Sequence, residues 1–176
     1  LNWKKVLDAF EVPYLGLANY ELIKSGSWYA YTDTPGSVLG DKVKCPWLTI
    51  DKKAKIQPYT WDSTMTDANV LFIFDEAHRC KNKSTVNSRL LLSTCETPAK
   101  KLLLSATIAD TVDYFSVFAV ALGLISCIED FRIYKKKLFY GGEIDSTADY
   151  IDKHRDGNKH SEMLCLHRVV FPKYGA

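Results

Sequence analysis

Apolar residues recur at Trp3, Val6, Leu7 and Phe10 ahead of Pro13, the spacing of one helix face, and predict a first helix that ends before the proline. The run Tyr14-Leu15-Gly16-Leu17-Ala18 is short and apolar, as in a buried strand. Asn19 to Gly26, NYELIKSG, then predicts a short helix stopped by the glycine. From residue 27 to residue 69 the pattern weakens, broken by Pro35, Gly36, Gly40, Pro46 and Pro58 around Trp28, Trp47 and Trp61. It reads as a loop-rich excursion with one strand near Pro46 to Ile50.

The middle of the chain is patterned more sharply. Val70 to Phe74 is a continuous apolar run, as expected of a parallel strand covered on both faces, and Lys101 to Thr107 holds a second. Between them, residues 84–96 predict a helix with Ser84 as N-cap, turning Val86, Leu90 and Leu91 toward the sheet and closing before Pro98. Strand, helix and strand in this order make a βαβ unit. In such sheets ligands bind beyond the carboxyl ends of the strands, where DEAH and SAT both fall. Tyr114 to Ile128 is too short for the roughly 20 residues of a bilayer span and reads as a buried helix.

Composition changes this picture little. With 176 residues, 47% of them hydrophobic and 25% charged, the chain has the makings of one globular domain and no disordered tail. A net charge of +2 means that any nucleic-acid contact comes from local patches. The five cysteines (Cys45, Cys80, Cys95, Cys127 and Cys165) are scattered, with no C-x-x-C pair. That usage points to a reducing, intracellular compartment: nucleus, cytoplasm, virion or virus factory. Cys165 and His167 lack a partner pair at zinc-ligand spacing. No signal peptide precedes the first helix, no membrane partner is expected, and the missing initiator Met suggests an excised fragment.

The chemistry lies at LFIFDEAHRCKN, residues 71–82. A buried strand that ends in Asp75 and Glu76 delivers two carboxylates to a sheet rim, one able to hold Mg²⁺ through water and one able to polarise an attacking water. Asp-Glu alone is an ordinary strand end, but the tetrapeptide DEAH arises by chance in roughly one chain in a thousand of this length.

DEAH at residues 75–78, followed by SAT at residues 105–107, resembles the superfamily 2 helicases and translocases. Their first RecA-like domain carries such a Walker B motif and, one strand later, such a coupling motif. DEAHRCKNKST, residues 75–85, is similar to the Swi/Snf-type branch, as is LANYELIKSG, residues 17–26, whose counterpart contacts nucleic acid. SATIADTVDYFSVFAVALGLI resembles the segment leading from the coupling motif into a helix, and in FRIYKKK a Phe and a Tyr stand three apart as in that branch. The closing LHRVVFPKYGA is reminiscent of large DNA-virus helicases. The resemblance implies an α/β fold, a RecA-like (P-loop NTPase type) parallel sheet flanked by helices. Residues 1–176 would be part of a first motor domain, with 27–69 as an excursion within it.

It further implies that ATP and Mg²⁺ are cofactors, with Asp75 holding the metal and Glu76 orienting the hydrolytic water. His78, Ser105, Ala106 and Thr107 would couple nucleotide state to movement. Asn19, Tyr20, Lys81 and Lys83 would contact nucleic acid, duplex DNA ahead of RNA. A second RecA-like domain of the same parent would supply the arginine finger. The basic run Lys135 to Lys137, with Arg132, reads more simply as a solvated face.

One departure from the family stands out. No G-x-x-x-x-G-K-[ST] phosphate loop occurs in the chain, and the nearest approach, GSVLGDKV from Gly36, has the wrong spacing and reads as a loop. By itself, then, the fragment is expected neither to hydrolyse ATP nor to unwind a duplex. Two other classes stay open: an inert ATPase-like module that binds nucleic acid or protein, and a small-molecule enzyme using the two carboxylates, for which no nucleophile and base are arranged.

Overall fold

The computed structural model describes residues 3–31, 40–62 and 69–140, with side chains described as far as residue 136. The chain divides into two compact units, Leu1–Asp67 and Ala68–Ala176.

The first unit opens with helix α1, Trp3–Ala9. Its apolar face is only half-buried and Phe10 lies beyond it, 76% exposed, because the helix ends a residue earlier than the apolar spacing suggests. Lys4 is the buried residue of the helix, its ammonium paired with Asp8 one turn on. Strand β1, Gly16–Leu17, follows, then helix α2, Tyr20–Lys24, and strands β2, Ser27–Ala30, and β3, Lys42–Lys44. The three strands form an antiparallel sheet in the order β1-β2-β3, with Leu17 opposite Tyr29 and Tyr29 opposite Lys42. β1 lies at the edge, half-buried, where a buried strand was expected. Gly26, at φ +79, lets the chain leave α2 directly into β2. Strands β4, Leu48–Ile50, and β5, Tyr59–Trp61, pair antiparallel.

The described residues of 27–69 thus hold four strands where one was expected. Three were missed because each spans three or four residues and mixes Lys, Ser and Thr with its apolar positions. Strand β4, near the predicted PWLTI, is the one that sequence found. The centre of this unit is Trp28, packed edge-on to Trp47 at 4.8 Å between ring centres and pressed against Gly16.

The second unit begins with the expected βαβ: strand β6, Leu71–Phe74, helix α3, Val86–Cys95, and strand β7, Lys100–Leu103. β6 and β7 pair in parallel, Leu71 with Lys100 through Phe74 with Leu103. The parallel sheet has two strands among the described residues, less than the flanked RecA-like sheet that was expected. Nor is β6 covered on both faces. Phe74 is buried, whereas Leu71 and Ile73 are 50% and 42% exposed, since no described element covers the face they share with Leu102.

Helix α3 starts one residue later than predicted. Thr85, not Ser84, caps it by accepting from the Ser88 amide, because the Ser84 hydroxyl donates instead to Asn82 Oδ1. Leu90 and Leu91 are buried as expected, but Val86 faces solvent. Tyr114 to Ile128, expected as one buried helix, is not one: Tyr114 and Phe115 end a 3₁₀ turn, Val112–Phe115, and a short helix α4, Ser116–Ala121, follows and ends where Gly123 takes φ +72. Phe115, Val117 and Phe118 are wholly buried, each contributing roughly 1.5–3 kcal/mol, and α4 packs on α3. A 3₁₀ turn, Ile128–Asp130, leads into helix α5, Phe131–Tyr140. No helix among the described residues is long and apolar enough to cross a membrane.

Candidate functional site

The βαβ unit explains how two distant motifs meet. Past the last residue of each strand the ladder continues for one more rung: the Leu104 amide donates to Phe74 O at 2.9 Å, and the Ala77 amide donates to Leu104 O at 2.9 Å. Between those anchors, Glu76 turns the chain by adopting the left-handed conformation, φ 52 and ψ 46. For a residue with a Cβ this costs roughly 1–2 kcal/mol, and such strain persists only where the surroundings hold it. Here they do, because Ala77 and Cys80 in the following 3₁₀ turn, Ala77–Cys80, are completely buried.

Asp75, Glu76 and His78 therefore emerge beside Ser105, Ala106 and Thr107. Asp75 is half-buried and its Oδ1 accepts from the Glu76 amide at 3.0 Å. His78 Nδ1 stands 3.1 Å from Glu76 Oε2 and 3.2 Å from Ser105 Oγ. The Ser105 hydroxyl donates to the Thr107 carbonyl at 2.9 Å, so its one hydrogen is in use. Both neighbours of Nδ1 thus present acceptor oxygens to it, an arrangement that favours the ring proton on Nδ1. Ala106 and the Thr107 side chain are exposed, and it is the Thr107 backbone that enters the network.

Two residues that sequence reasoning did not single out, Asp110 and Tyr114, complete the arrangement. Lys81, expected to contact nucleic acid, bonds Asp110 Oδ1 at 2.6 Å and lies 5.4 Å from the centre of the Tyr114 ring. The Lys81 hydrogen bond holds the Asp110 carboxyl below its ordinary range. Nothing in the sequence pairs a lysine with an aspartate 29 positions on. Lys83 is exposed. Lys135, from the basic run, pairs with Asp113 at 3.2 Å, and Phe131 stacks on Tyr134 with centres 6.1 Å apart.

Asn19 and Tyr20 belong to the first unit. Asn19 caps α2 by accepting from the Leu22 amide at 2.8 Å, and with Glu21, Leu22, Ser25, Tyr29 and Lys42 it lines a shallow hollow of about 270 Å³. Cys165, His167 and the segment 166–176 lie outside the described residues, as do residues 36–39 of the segment weighed as a phosphate loop.

Among the described residues, no three His, Cys, Asp or Glu side chains converge on a metal site. A magnesium ion needs fewer. It commonly takes one or two carboxylates and completes its shell with water and substrate phosphates, so the half-buried Asp75 at the strand end fits that role as a single protein ligand.

The chain resembles a protein of Acanthamoeba polyphaga mimivirus described as "Putative ATP-dependent RNA helicase". The two are 29% identical over 143 residues, which is 78% of this chain and 25% of the viral protein. The chain thus spans about a quarter of its relative's length. No family model and no solved structure matches it.

Proposed function

We propose that this chain is part of an ATP-dependent nucleic-acid helicase or translocase motor and carries its hydrolysis and coupling residues. The observation that carries this reading is the meeting of Glu76, His78 and Ser105 beyond the carboxyl ends of a parallel strand pair, at 3.1 and 3.2 Å. The similarity to the mimiviral protein supports the same class of motor.

In this reading Asp75 holds Mg²⁺, which neutralises charge on the nucleotide phosphates when bound. Glu76 orients and polarises the attacking water. The Nδ1–H of His78, shared between Glu76 and Ser105, links the state of that carboxylate to the SAT loop. When Glu76 turns to a water, His78 retains Ser105 alone, and the loop behind β7 feels the change. Short hydroxyl side chains such as Ser105 exchange partners with little rearrangement, which suits a coupling element.

The finer assignment is to superfamily 2, in a DEAH-containing, Swi/Snf-like branch, with this chain as part of the first RecA-like domain and a second such domain in the parent. Asn19 and Lys42, which line the hollow of the first unit, with Tyr20 and Lys83, are the proposed contacts to the polymer; such groups hold phosphates without reading sequence. Swi/Snf-like features favour duplex DNA as the track. The viral relative is described as an RNA helicase, so both polymers belong in the test.

The test measures ATP turnover by the full-length protein, wild type and Glu76→Gln, alone and with duplex DNA, single-stranded DNA or RNA. Stimulation by one polymer, lost in the variant, is expected. Nucleic-acid binding with no turnover under any condition would replace the motor with an inert binding module.

A further inference from the structure

Lys81 and Asp110 stand outside the DEAH and SAT motifs, yet they join the two segments that carry them. Lys81 follows the 3₁₀ turn that holds His78, and its amide donates to the His78 carbonyl at 3.2 Å. Asp110 lies at the far end of the stretch 104–111, which contains Ser105 and forms neither helix nor strand. The Lys81 ammonium reaches Asp110 Oδ1 at 2.6 Å and approaches the Tyr114 ring at 5.4 Å. Tyr114 in turn sits in the 3₁₀ turn rooted in the core through Val112 and Phe115, which are 3% and 0% exposed.

The loop behind β7 is therefore held to the turn behind β6 at both ends: by the Ala77–Leu104 backbone bond at one, and by the Lys81–Asp110 ion pair at the other. Ser105 lies between these ties. Pinning both ends of an irregular segment removes conformations in which the serine hydroxyl points elsewhere. The compact ammonium of Lys81 suits the task, since it can satisfy a carboxylate and a ring face at once.

We propose that Lys81, Asp110 and Tyr114 form a positioning clamp that holds Ser105 against His78 and so keeps the imidazole proton on Nδ1. None of the three touches the reacting carboxylate; they act through His78. This gives Lys81 an internal partner in place of the nucleic-acid phosphate expected from sequence. Its purpose rests on the coupling role proposed above, but the geometry it predicts does not.

The test reads the ring nitrogens of His78 by ¹⁵N NMR in the 176-residue chain, at a pH where imidazole is neutral, with His78→Gln identifying its signals among the four histidines. Wild type is expected to show a protonated Nδ1 and an unprotonated Nε2. Asp110→Asn is expected to move both signals toward the averaged positions of a free imidazole, at least doubling the Nε2–H population. Lys81→Arg, which keeps the charge and the ring contact, should retain the wild-type pattern, and the exchanged pair Lys81→Asp with Asp110→Lys should restore it. If Asp110→Asn does not fold, Asp110→Glu takes its place and should give an intermediate pattern. A merely stabilising ion pair would lower the denaturation midpoint in Asp110→Asn and leave the ring signals at their wild-type positions, which would overturn the clamp. So would a wild-type ring that carries its proton on Nε2. Failure of the motor reading would appear separately, as absent ATP turnover in the full-length protein with these ring signals unchanged.

Discussion

His78 and Ser105, 27 positions apart in the chain, meet at 3.2 Å because the ladder between β6 and β7 runs one rung past the end of each strand. Glu76 Oε2, a second acceptor, lies 3.1 Å from the same ring nitrogen. Neither acceptor is deeply buried, and a hydrogen bond in such a setting contributes modestly, on the order of 1 kcal/mol.

That link predicts a non-additive pair. His78→Ala and Ser105→Ala should each destabilise the second unit by roughly 0.5–1 kcal/mol, and the double variant by less than their sum, with a coupling of about 0.5 kcal/mol or more. Urea denaturation of the four proteins measures this cycle. Strict additivity would mean that the two side chains do not interact in solution.

A second prediction separates neighbouring hydroxyls at the start of α3. Thr85 Oγ1 accepts from the Ser88 amide at 3.3 Å and donates to the Asn82 carbonyl at 2.8 Å, whereas Ser84 Oγ serves the Asn82 side chain at the surface. Thr85→Ala is expected to cost about 1 kcal/mol, the loss typical of a removed N-cap, and Ser84→Ala less than about 0.5 kcal/mol. Thermal or chemical denaturation ranks the two, and the opposite order would move the cap back to Ser84.

The contrast between those two residues marks what the sequence could convey. A cap can be narrowed to adjacent candidates from the onset of apolar spacing, but choosing between Ser84 and Thr85 requires knowing that Asn82 occupies the first hydroxyl. Strand β6 was legible because it is a continuous apolar run, and β7 through the leucines at its end, although Lys100 and Lys101 open it. The exposure of Leu71 and Ile73 was not, since it depends on which elements lie over the sheet. β3, with Lys42, Val43 and Lys44 all exposed, gives no burial signal and forms through its backbone pairing to β2. At the site, the sequence set DEAH and SAT together beyond the carboxyl ends of the strands but left His78 to bond toward either the coupling motif or a second domain; its contact with Ser105 is a feature of the structure. The bond from Lys81 to Asp110 joins surface charges across an irregular loop and leaves no periodic trace.

Gly16 offers a test of the first unit. A Cβ there would lie 2.5 Å from the Trp28 ring, closer than atoms tolerate, and that ring is itself wedged against Trp47. Gly16→Ala should therefore destabilise by about 1–3 kcal/mol and shift the tryptophan fluorescence, because the indole must move to admit a methyl group. Gly123→Ala is the useful comparison: nothing lies within 4 Å of its Cβ, and only its φ of +72 opposes the change. A cost of roughly 1 kcal/mol with unaltered fluorescence is expected there. Equal effects at both positions would argue against close contact between Gly16 and Trp28.

Acidity should weaken the tie between Lys81 and Asp110 in a defined direction. The Lys81 hydrogen bond holds the Asp110 carboxyl below its ordinary value of 3.8 in the folded chain. A group whose folded value is depressed adds stability that is fully present above the unfolded value and disappears as pH falls through the folded one. The stability difference between wild type and Asp110→Asn should accordingly hold constant from pH 7 down to about pH 5, then shrink toward zero as the medium is acidified past 3.8. Both side chains retain solvent contact, 30% for Lys81 and 63% for Asp110, so the difference at neutral pH should lie near 0.2–1 kcal/mol and decline further in molar salt. Denaturation midpoints of the two proteins, measured across that pH range at low and high ionic strength, check both dependences. A difference that grows on acidification would mean that Asp110 is held protonated in the folded state, against the partner that the structure gives it.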